Sequence, residues 1–279
     1  MLTSFDFDGD GIEEIIATHF FTDAGKIAIY RPPEGMTWDE VDNDQEDSKA
    51  QVEDISVDNG LPFDMVLTDI DGDGDMDLVY TNHQPSSCDF PDAVKGRIGV
   101  LKQGDNMTWT NQILMDDLQP QPNLSLRPGS MGRSAPGSPR VFCPNRKKEC
   151  PRPWIVVGGD ESGKVYFCWN QKFKKGTDFA RHIIFDINDV YGSCATQTPF
   201  GEFEDTVSTI GTVAVGYTKE GVAEIYIPVF EAGDIHVYTF DPKDAVEEVT
   251  CTDADVLGCN ECQAPPPDAR DNVFTNIWH

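Results

Sequence analysis

Two short acidic segments carry residues whose type and spacing suit a metal site. Residues 6–14 read DFDGDGIEE and residues 69–77 read DIDGDGDMD. Ca²⁺ binds about six to eight oxygen ligands, and alternate residues of a tight turn point into one space. Carboxylates this close repel one another, which favours a bound cation over a solvated acidic turn, the alternative. The predicted ligands are Asp6, Asp8, Asp10, the Ile12 carbonyl and Glu14 in the first turn and Asp69, Asp71, Asp73, the Asp75 carbonyl and Asp77 in the second.

An EF-hand loop begins in the same way, but it needs a bidentate glutamate at its twelfth position and a helix on each side. Here the twelfth positions are Ala17 and Tyr80, and the acidic ligand stands at the ninth position instead. The flanking residues are apolar and rich in β-branched side chains, which is typical of strands. The segments therefore predict calcium-binding turns between strands.

The elements that must hold these turns recur along the chain. Each acidic segment is followed by an apolar run, then by a Gly-basic-apolar segment at 25–30 and again at 96–101. A Met-Thr-Trp triplet follows at 36–38 and at 107–109. Weaker copies of the pattern start near residues 154 and 224. Repeats of sixty-odd residues with short strands and Gly, Asp or Pro turns are typical of propeller blades.

The predicted fold class is therefore all-β, a β-propeller of four-stranded antiparallel blades. Each blade is expected to have one strand before the acidic turn, one after it, one at the Gly-basic segment and one near the Trp. Residues 272–278 either close the ring or pair within the last blade. The four predicted blades are residues 1–62, 63–138, 139–207 and 208–279, and they could belong to a larger propeller.

The pattern D-x-D-x-D-G-x-x-D between two apolar strands resembles the FG-GAP/VCBS repeat of integrin α-subunit propellers and of many secreted proteins. The resemblance covers most of the chain as a repeat, and its motif is strong in the first two units, where Glu14 replaces the usual Asp. It implies that the acidic turn joins the innermost strand of a blade to the second strand. It also implies that the bound Ca²⁺ is structural.

The third and fourth units depart from this pattern. In the fourth, two of the carboxylates are missing, so no tight site is expected; the aligned residues are Gly216, Thr218, Glu220, Gly221 and Glu224. In the third, Cys143 and Cys150 bracket the turn where the metal would bind. We expect a disulfide between them to replace the metal, the alternative being that each pairs with another cysteine.

Cysteines and sequons favour an oxidising compartment. The eight cysteines are an even, scattered set, and Asn106 and Asn123 each begin a glycosylation triplet. The C-terminal cysteines suit a disulfide-bonded loop better than a zinc site, because a second C-x-x-C or His pair is lacking; they are Cys251, Cys259 and Cys262. The expected location is therefore extracellular or in the secretory lumen. The sequence contains no apolar membrane span and no signal peptide, so either the chain is a mature portion or a fragment, or the compartment is a different one.

The formal net charge of −28 excludes nucleic acid and anionic membrane surfaces as expected partners. In the propeller interpretation, ligands bind the rim opposite the acidic turns, in loops near 18–23, 82–94, 160–162 and 230–233, or in the longer loops at 43–62, 118–138 and 188–207. The candidate ligand-binding residues there are His19, Asn82, His83, Asp160, Glu161 and Glu231. The histidines are alternatively exposed loop residues or residues satisfied at strand ends.

No catalytic motif stands out: the sequence lacks a G-x-S-x-G elbow, a phosphate-binding glycine loop and H-E-x-x-H. The favoured hypothesis is an extracellular, calcium-binding adhesion or binding module for a protein or glycan. A second is a secreted carbohydrate-active enzyme, lyase- or dehydratase-like, for which Trp169, His182 and His236 offer only an analogy. A third is a structural subunit that associates with further blades or with copies of itself.

Overall fold

The structure is a computed structural model. It describes residues 1–20, 25–57, 60–83, 96–116, 118, 136–147, 150, 153–159, 163–170, 179–191, 210–229, 232–240 and 274–276. The described part is all-β, as predicted, and consists of four antiparallel sheets of four strands each. No helix among the described residues is long and apolar enough to cross a membrane.

Within each sheet the strands lie side by side in chain order. The first sheet comprises β1 (Leu2–Phe5), β2 (Glu14–His19), β3 (Lys26–Arg31) and β4 (Gln51–Val57). The second comprises β5 (Leu61–Thr68), β6 (Asp77–His83), β7 (Arg97–Gly104) and β8 (Thr108–Met115). The third comprises β9 (Pro139–Phe142), β10 (Trp154–Gly158), β11 (Lys164–Asn170) and β12 (Phe179–Asp186), and the helix α1 (Ile187–Tyr191) follows it. The fourth comprises β13 (Ala214–Tyr217), β14 (Ala223–Val229), β15 (Asp234–Phe240) and β16 (Phe274–Asn276).

Three hydrophobic cores lie between consecutive sheets. Side chains alternate between the two faces of a strand, so β6 supplies Leu78 and Tyr80 to the core shared with the first sheet and Val79 to the core shared with the third. All seven residues of β6 are buried, although only Leu78, Val79 and Tyr80 among them are apolar. The third core joins the third and fourth sheets, with Phe167 and Ile225 among its residues.

The edges at which the sheets meet follow one pattern. The first strand of the second sheet, β5, contacts β2 and β3 of the first sheet. In the same way β9 contacts β5 and β6, and β13 contacts β9. The last strands of the second and third sheets, β8 and β12, also touch. From the second sheet to the fourth, the first strands of successive sheets therefore lie next to one another, and the last strands of the second and third sheets do so as well.

Three expectations need correction in the described part. The fourth strand of the first sheet is β4 rather than a strand at the Trp, because residues 38–40 around Trp38 form a 3₁₀ turn. The segment 43–62 is therefore less irregular than predicted. The boundary expected after residue 62 falls inside β5.

The C-terminal segment pairs within the fourth sheet. Strand β16 runs antiparallel to β15, with Tyr238 opposite Asn276 and Thr239 opposite Thr275. Of the two alternatives that the sequence left open for residues 272–278, the described residues Phe274–Asn276 show pairing within the last unit.

Candidate metal sites

The two acidic turns join β1 to β2 and β5 to β6, and their first aspartates make the same contacts. In the first turn Asp6 accepts hydrogen bonds from the Gly9 amide at 2.8 Å and the Gly11 amide at 3.0 Å. In the second, Asp69 accepts them from the amides of Gly72 and Gly74 at 2.7 and 3.1 Å. The equivalence of these contacts shows that the two turns are one repeated structure.

The glycine at the sixth position of each turn supplies a backbone conformation that other residues rarely adopt. Its φ is +89° at Gly11 and +103° at Gly74. A β-carbon on either residue would meet no atom within 4 Å, so the requirement is conformational and not steric. The reversal lets the chain bring its ninth residue back beside its first.

The ninth residue of each turn is a buried carboxylate. Glu14 is 3% exposed and accepts a hydrogen bond from the Phe7 amide at 2.8 Å. Asp77 is 1% exposed and accepts hydrogen bonds from the amides of Ile70 at 3.1 Å and Gln103 at 3.0 Å. Burial raises the pKa of Glu14, and it raises the pKa of Asp77 to about 7, with nearby Asp71 adding to the rise. A cation beside these carboxylates would offset the cost of their burial.

Three carboxylates of each predicted ligand set lie together. One oxygen from each of the three lies within 4.8 Å of the other two. They are Asp6, Asp8 and Glu14 in the first turn and Asp69, Asp71 and Asp77 in the second. No other group of His, Cys, Asp or Glu in the described residues has this arrangement. Both clusters have the composition to hold a metal ion.

The remaining predicted ligands are placed differently. Asp10 accepts a hydrogen bond from the Ile12 amide at 2.7 Å, and Asp73 accepts one from the Asp75 amide at 3.0 Å. These two carboxylates therefore stabilise the backbone of their own turn and lie outside the three-residue clusters. Ligation by the carbonyls of Ile12 and Asp75 stays a prediction.

Two observations at the second turn favour a cation. The Oδ1 atom of Asp71 is buried and has no hydrogen-bond partner among the described residues. The Oδ2 atom of the same side chain lies 2.7 Å from the Lys102 ammonium, so this turn already attracts a positive charge. In the first sheet the corresponding basic residue, Arg31, approaches Glu14 only to 3.9 Å. Neither Lys102 nor Arg31 was predicted from the sequence to lie at a turn, although a basic residue stands at the same place in both repeats.

The second residue of each acidic turn is buried between two sheets. Phe7 lies in the core between the first and second sheets, where its ring packs edge-on against Trp109 with centroids 5.6 Å apart. Ile70 lies in the core between the second and third sheets. Each turn is therefore tied to the junction with the next sheet, so its order affects how two sheets pack.

The third turn has a different stabilising contact. Cys143 and Cys150 lie at disulfide distance, with sulfur atoms 2.20 Å apart. Between them, the Arg146 amide donates to the Gly221 carbonyl at 3.0 Å, and the Ala223 amide donates to the Pro144 carbonyl at 2.9 Å. This turn is thus hydrogen-bonded directly to the fourth sheet.

No carboxylate cluster lies in the described residues of the fourth turn. It closes instead through backbone hydrogen bonds, from the Thr218 amide to the Val222 carbonyl and from the Gly221 amide to the Thr218 carbonyl, both at 2.9 Å. Glu224, aligned with the buried ninth residue of the acidic turns, accepts a hydrogen bond from the Tyr226 hydroxyl at 2.9 Å.

The histidines predicted for a ligand-binding loop lie at strand ends. His19 ends β2, and its Nε2 lies 2.7 Å from the Tyr30 hydroxyl. His83 ends β6, is buried, stacks on Phe63 with centroids 4.3 Å apart, and donates from Nε2 to the Pro136 carbonyl at 3.1 Å. Asn82 is buried in the same strand. The placement of these three residues in a loop was wrong, and the alternative of histidines satisfied at strand ends describes His19 and His83. A role of the three residues in ligand binding stays a prediction.

Seven of the predicted site residues lie outside the described part of the chain. They are Asn123, Asp160, Glu161, Glu231, Cys251, Cys259 and Cys262. Asn106 lies in the 3₁₀ turn of residues 105–107. Two further histidines are in strands, His182 in β12 and His236 in β15, and burial lowers the pKa of each.

A cleft of about 570 Å³ opens on the side of the acidic turns, where the sequence predicted no ligand-binding surface. It lies where β5, β9 and β13 end, since Thr68, Phe142 and Tyr217 all line it, together with Asp69 and the Cys143–Cys150 pair. The predicted loop rim is largely outside the described residues.

Comparison of the sequence with protein-family models and with curated proteins identifies no match.

Proposed function

We propose that this protein is a calcium-binding β-propeller that acts outside the cell as a binding or adhesion module for a protein or glycan. The observation that carries the proposal is the pair of equivalent acidic turns, each with three clustered carboxylates and a second residue buried between sheets. In this function the ions are structural and stiffen the junctions between sheets.

The propeller arrangement is supported by how the sheets meet. The first strands of consecutive sheets contact one another, from β5 to β9 and from β9 to β13, as they would around a central axis. The cleft at the ends of these strands would then be the mouth of the axial channel. The resemblance to the FG-GAP/VCBS repeat points to the same arrangement, in which an acidic turn joins the innermost strand to the second.

Calcium is the ion that suits the clusters best. Every donor is an oxygen, which favours a hard cation over zinc or copper. Asp8 and Asp71 bring their carboxylates to the cluster from irregular turn backbone between strands, and Ca²⁺ tolerates irregular geometry better than Mg²⁺ does. The Cys143–Cys150 pair supports an oxidising compartment, which is where the calcium concentration is high enough to load weak sites.

Thermal melts in CaCl₂, MgCl₂ and EDTA test the structural role of the ions. We expect the melting temperature to fall by roughly 5 to 15 °C when EDTA replaces Ca²⁺, because a ligand that binds only the folded state stabilises it. Mg²⁺ should restore less of the loss. Equal melting temperatures in Ca²⁺ and in EDTA would contradict the structural role proposed for ions bound at the acidic turns.

A glycan array and a capture screen against extracellular proteins, each run with Ca²⁺ and with EDTA, test the binding role. Specific binding that EDTA abolishes supports a module whose ligand surface depends on the stiffened sheets. Turnover of a glycan substrate instead of simple binding would favour the carbohydrate-active enzyme over the binding module.

A further inference from the structure

One buried side chain connects the two acidic turns. The amide nitrogen of the Gln103 side chain lies 3.3 Å from the Phe7 carbonyl oxygen, to which it donates. The backbone amide of the same residue donates to Asp77 at 3.0 Å. Phe7 in turn donates its own amide to Glu14 at 2.8 Å. The ninth carboxylates of the two turns are thus joined through two residues, although the turns belong to different sheets.

The residues of this connection are shielded from water. Gln103 and Phe7 are each 8% exposed, and the two carboxylates at the ends are more buried still. Hydrogen bonds in such surroundings are stronger than at the surface, and losing one leaves a buried polar group unpaired. The connection therefore resists small displacements at either end.

Phe7 is also well placed to transmit a displacement to ligands. It stands between Asp6 and Asp8, two of the three clustered carboxylates of the first turn. Its amide, its carbonyl and its ring are all engaged, the ring with Trp109 of the second sheet. Fixing the Phe7 carbonyl consequently fixes the peptide that leads to Asp8.

We propose that the two acidic turns bind their cations cooperatively and that Gln103 is the positioning residue that couples them. The inference rests on the proposed calcium function. A cation at the second turn fixes Asp77, which holds the Gln103 backbone and directs its side chain to Phe7. The first turn then binds its cation with less ordering cost, which is positive coupling.

The residue of the first sheet that aligns with Gln103 is Pro32, which has neither an amide hydrogen nor a side-chain donor. The connection runs from the second sheet back to the first, because the chain places Phe7 in the core that these two sheets share. Ile70, at the same turn position, is buried against the third sheet, whose own turn contains the Cys143–Cys150 pair. The coupling is therefore expected between the two metal turns alone.

Calcium titrations followed by two-dimensional ¹H–¹⁵N NMR test the coupling at each turn separately. The reporters are the amides of Gly11 and Gly74, which donate to Asp6 and Asp69 respectively. Asp71→Asn removes one of the three clustered carboxylates of the second turn, at the position equivalent to Asp8 in the first. We expect it to reduce the calcium affinity reported by Gly11 by about fivefold or more in the otherwise unchanged protein. Reciprocally, Asp8→Asn should reduce the affinity reported by Gly74 by the same factor.

Gln103→Met keeps the backbone amide that holds Asp77 and removes the side-chain donor. In that background, Asp71→Asn should leave the affinity reported by Gly11 unchanged. Gln51→Met, on the exposed end of β4, is the matched control and should retain the coupling. Loss of coupling in the Gln103 variant alone is a result that a merely destabilising substitution would not give.

The inference is overturned if Asp71→Asn does not affect Gly11 in the otherwise unchanged protein, or if the coupling persists in Gln103→Met. If Gln103→Met does not fold, the reciprocal pair Asp8→Asn and Asp71→Asn still decides whether the turns are cooperative. Calcium shifts at both glycines without coupling would refute this inference and leave the proposed function standing. The absence of any calcium shift would refute both.

Discussion

The Lys102 ammonium lies 2.7 Å from the Oδ2 atom of Asp71, beside the carboxylates of the second acidic turn. The side chains are 22% and 14% exposed, so the contact is only partly screened by solvent. A lysine in this place neutralises part of the negative charge when no metal is bound. A cation that binds all three carboxylates must compete with it.

Lys102→Met is therefore expected to strengthen calcium binding at the second turn and to destabilise the metal-free protein. Because the ion pair is partly exposed, we expect a change of about 1 kcal/mol both in the free energy of calcium binding and in the free energy of unfolding of the metal-free protein. Titration of the Gly74 amide and thermal melts in EDTA measure them. Lys26→Met removes an equally short ion pair, to Asp54 at 2.7 Å, and should leave calcium affinity unchanged. An unchanged affinity in Lys102→Met would show that the lysine does not compete.

The disulfide at the third turn should contribute to stability in place of a metal. For a loop with a sequence separation of 7, chain-entropy arguments give about 2 to 3 kcal/mol. We expect Cys143→Ser with Cys150→Ser to lower the free energy of unfolding by this amount in a denaturant titration. Addition of dithiothreitol to the wild-type protein should reproduce the loss. A double variant as stable as the wild type would contradict the assigned pair.

The thiol of Cys168 should be inert in the folded protein. Burial raises its pKa to about 12, and its side chain lies in the core between the second and third sheets. Because the thiolate is the reactive form, iodoacetamide at pH 8 should leave Cys168 unmodified until denaturant is added. Peptide mass spectrometry of the 164–170 region measures this. Rapid modification under native conditions would mean that this core opens.

Stability should fall on mild acidification through His236. Its ring packs against Phe185 with centroids 4.9 Å apart, and burial lowers its pKa below the usual 6.5. The unfolded chain then binds a proton at a higher pH than the folded chain does. The stabilisation that comes from the lowered pKa of His236 is present above about pH 6.5 and is lost as the pH falls towards the pKa of the folded state. The free energy of unfolding, measured by denaturant titration in saturating Ca²⁺, should change less between pH 7.5 and pH 5.5 for His236→Gln than for the wild type. An equal change in the two proteins would show that His236 does not contribute to the pH dependence of stability.

The acidic turns and the four-unit repeat could be predicted because their signals are local. The ligands of one turn lie within nine consecutive residues, and Gly11 and Gly74 mark the reversal. The cysteine pair at the third turn was also close in sequence. Short-range patterns such as these constrain the backbone before any tertiary packing is known.

The contacts that complete the site depend on the packing of one sheet against another. Gln103 and Phe7 are 96 residues apart, and only the packing of two sheets brings them together. His83 was misplaced because β6 extends further than its apolar run, into residues that Phe63 and Pro136 cover. Trp38 was assigned to a strand from its likeness to Trp109, but its indole nitrogen donates to the Glu13 carbonyl at 2.7 Å within a 3₁₀ turn.

Native mass spectrometry in calcium acetate tests the central claim most directly, since it counts the ions bound to each folded chain. We predict two Ca²⁺ ions in the wild type and one in either Asp6→Asn/Asp8→Asn or Asp71→Asn/Asp73→Asn. The variant with all four substitutions should bind none. A wild-type chain without bound calcium, or a count that these substitutions do not change, would contradict the assignment of the turns as calcium sites.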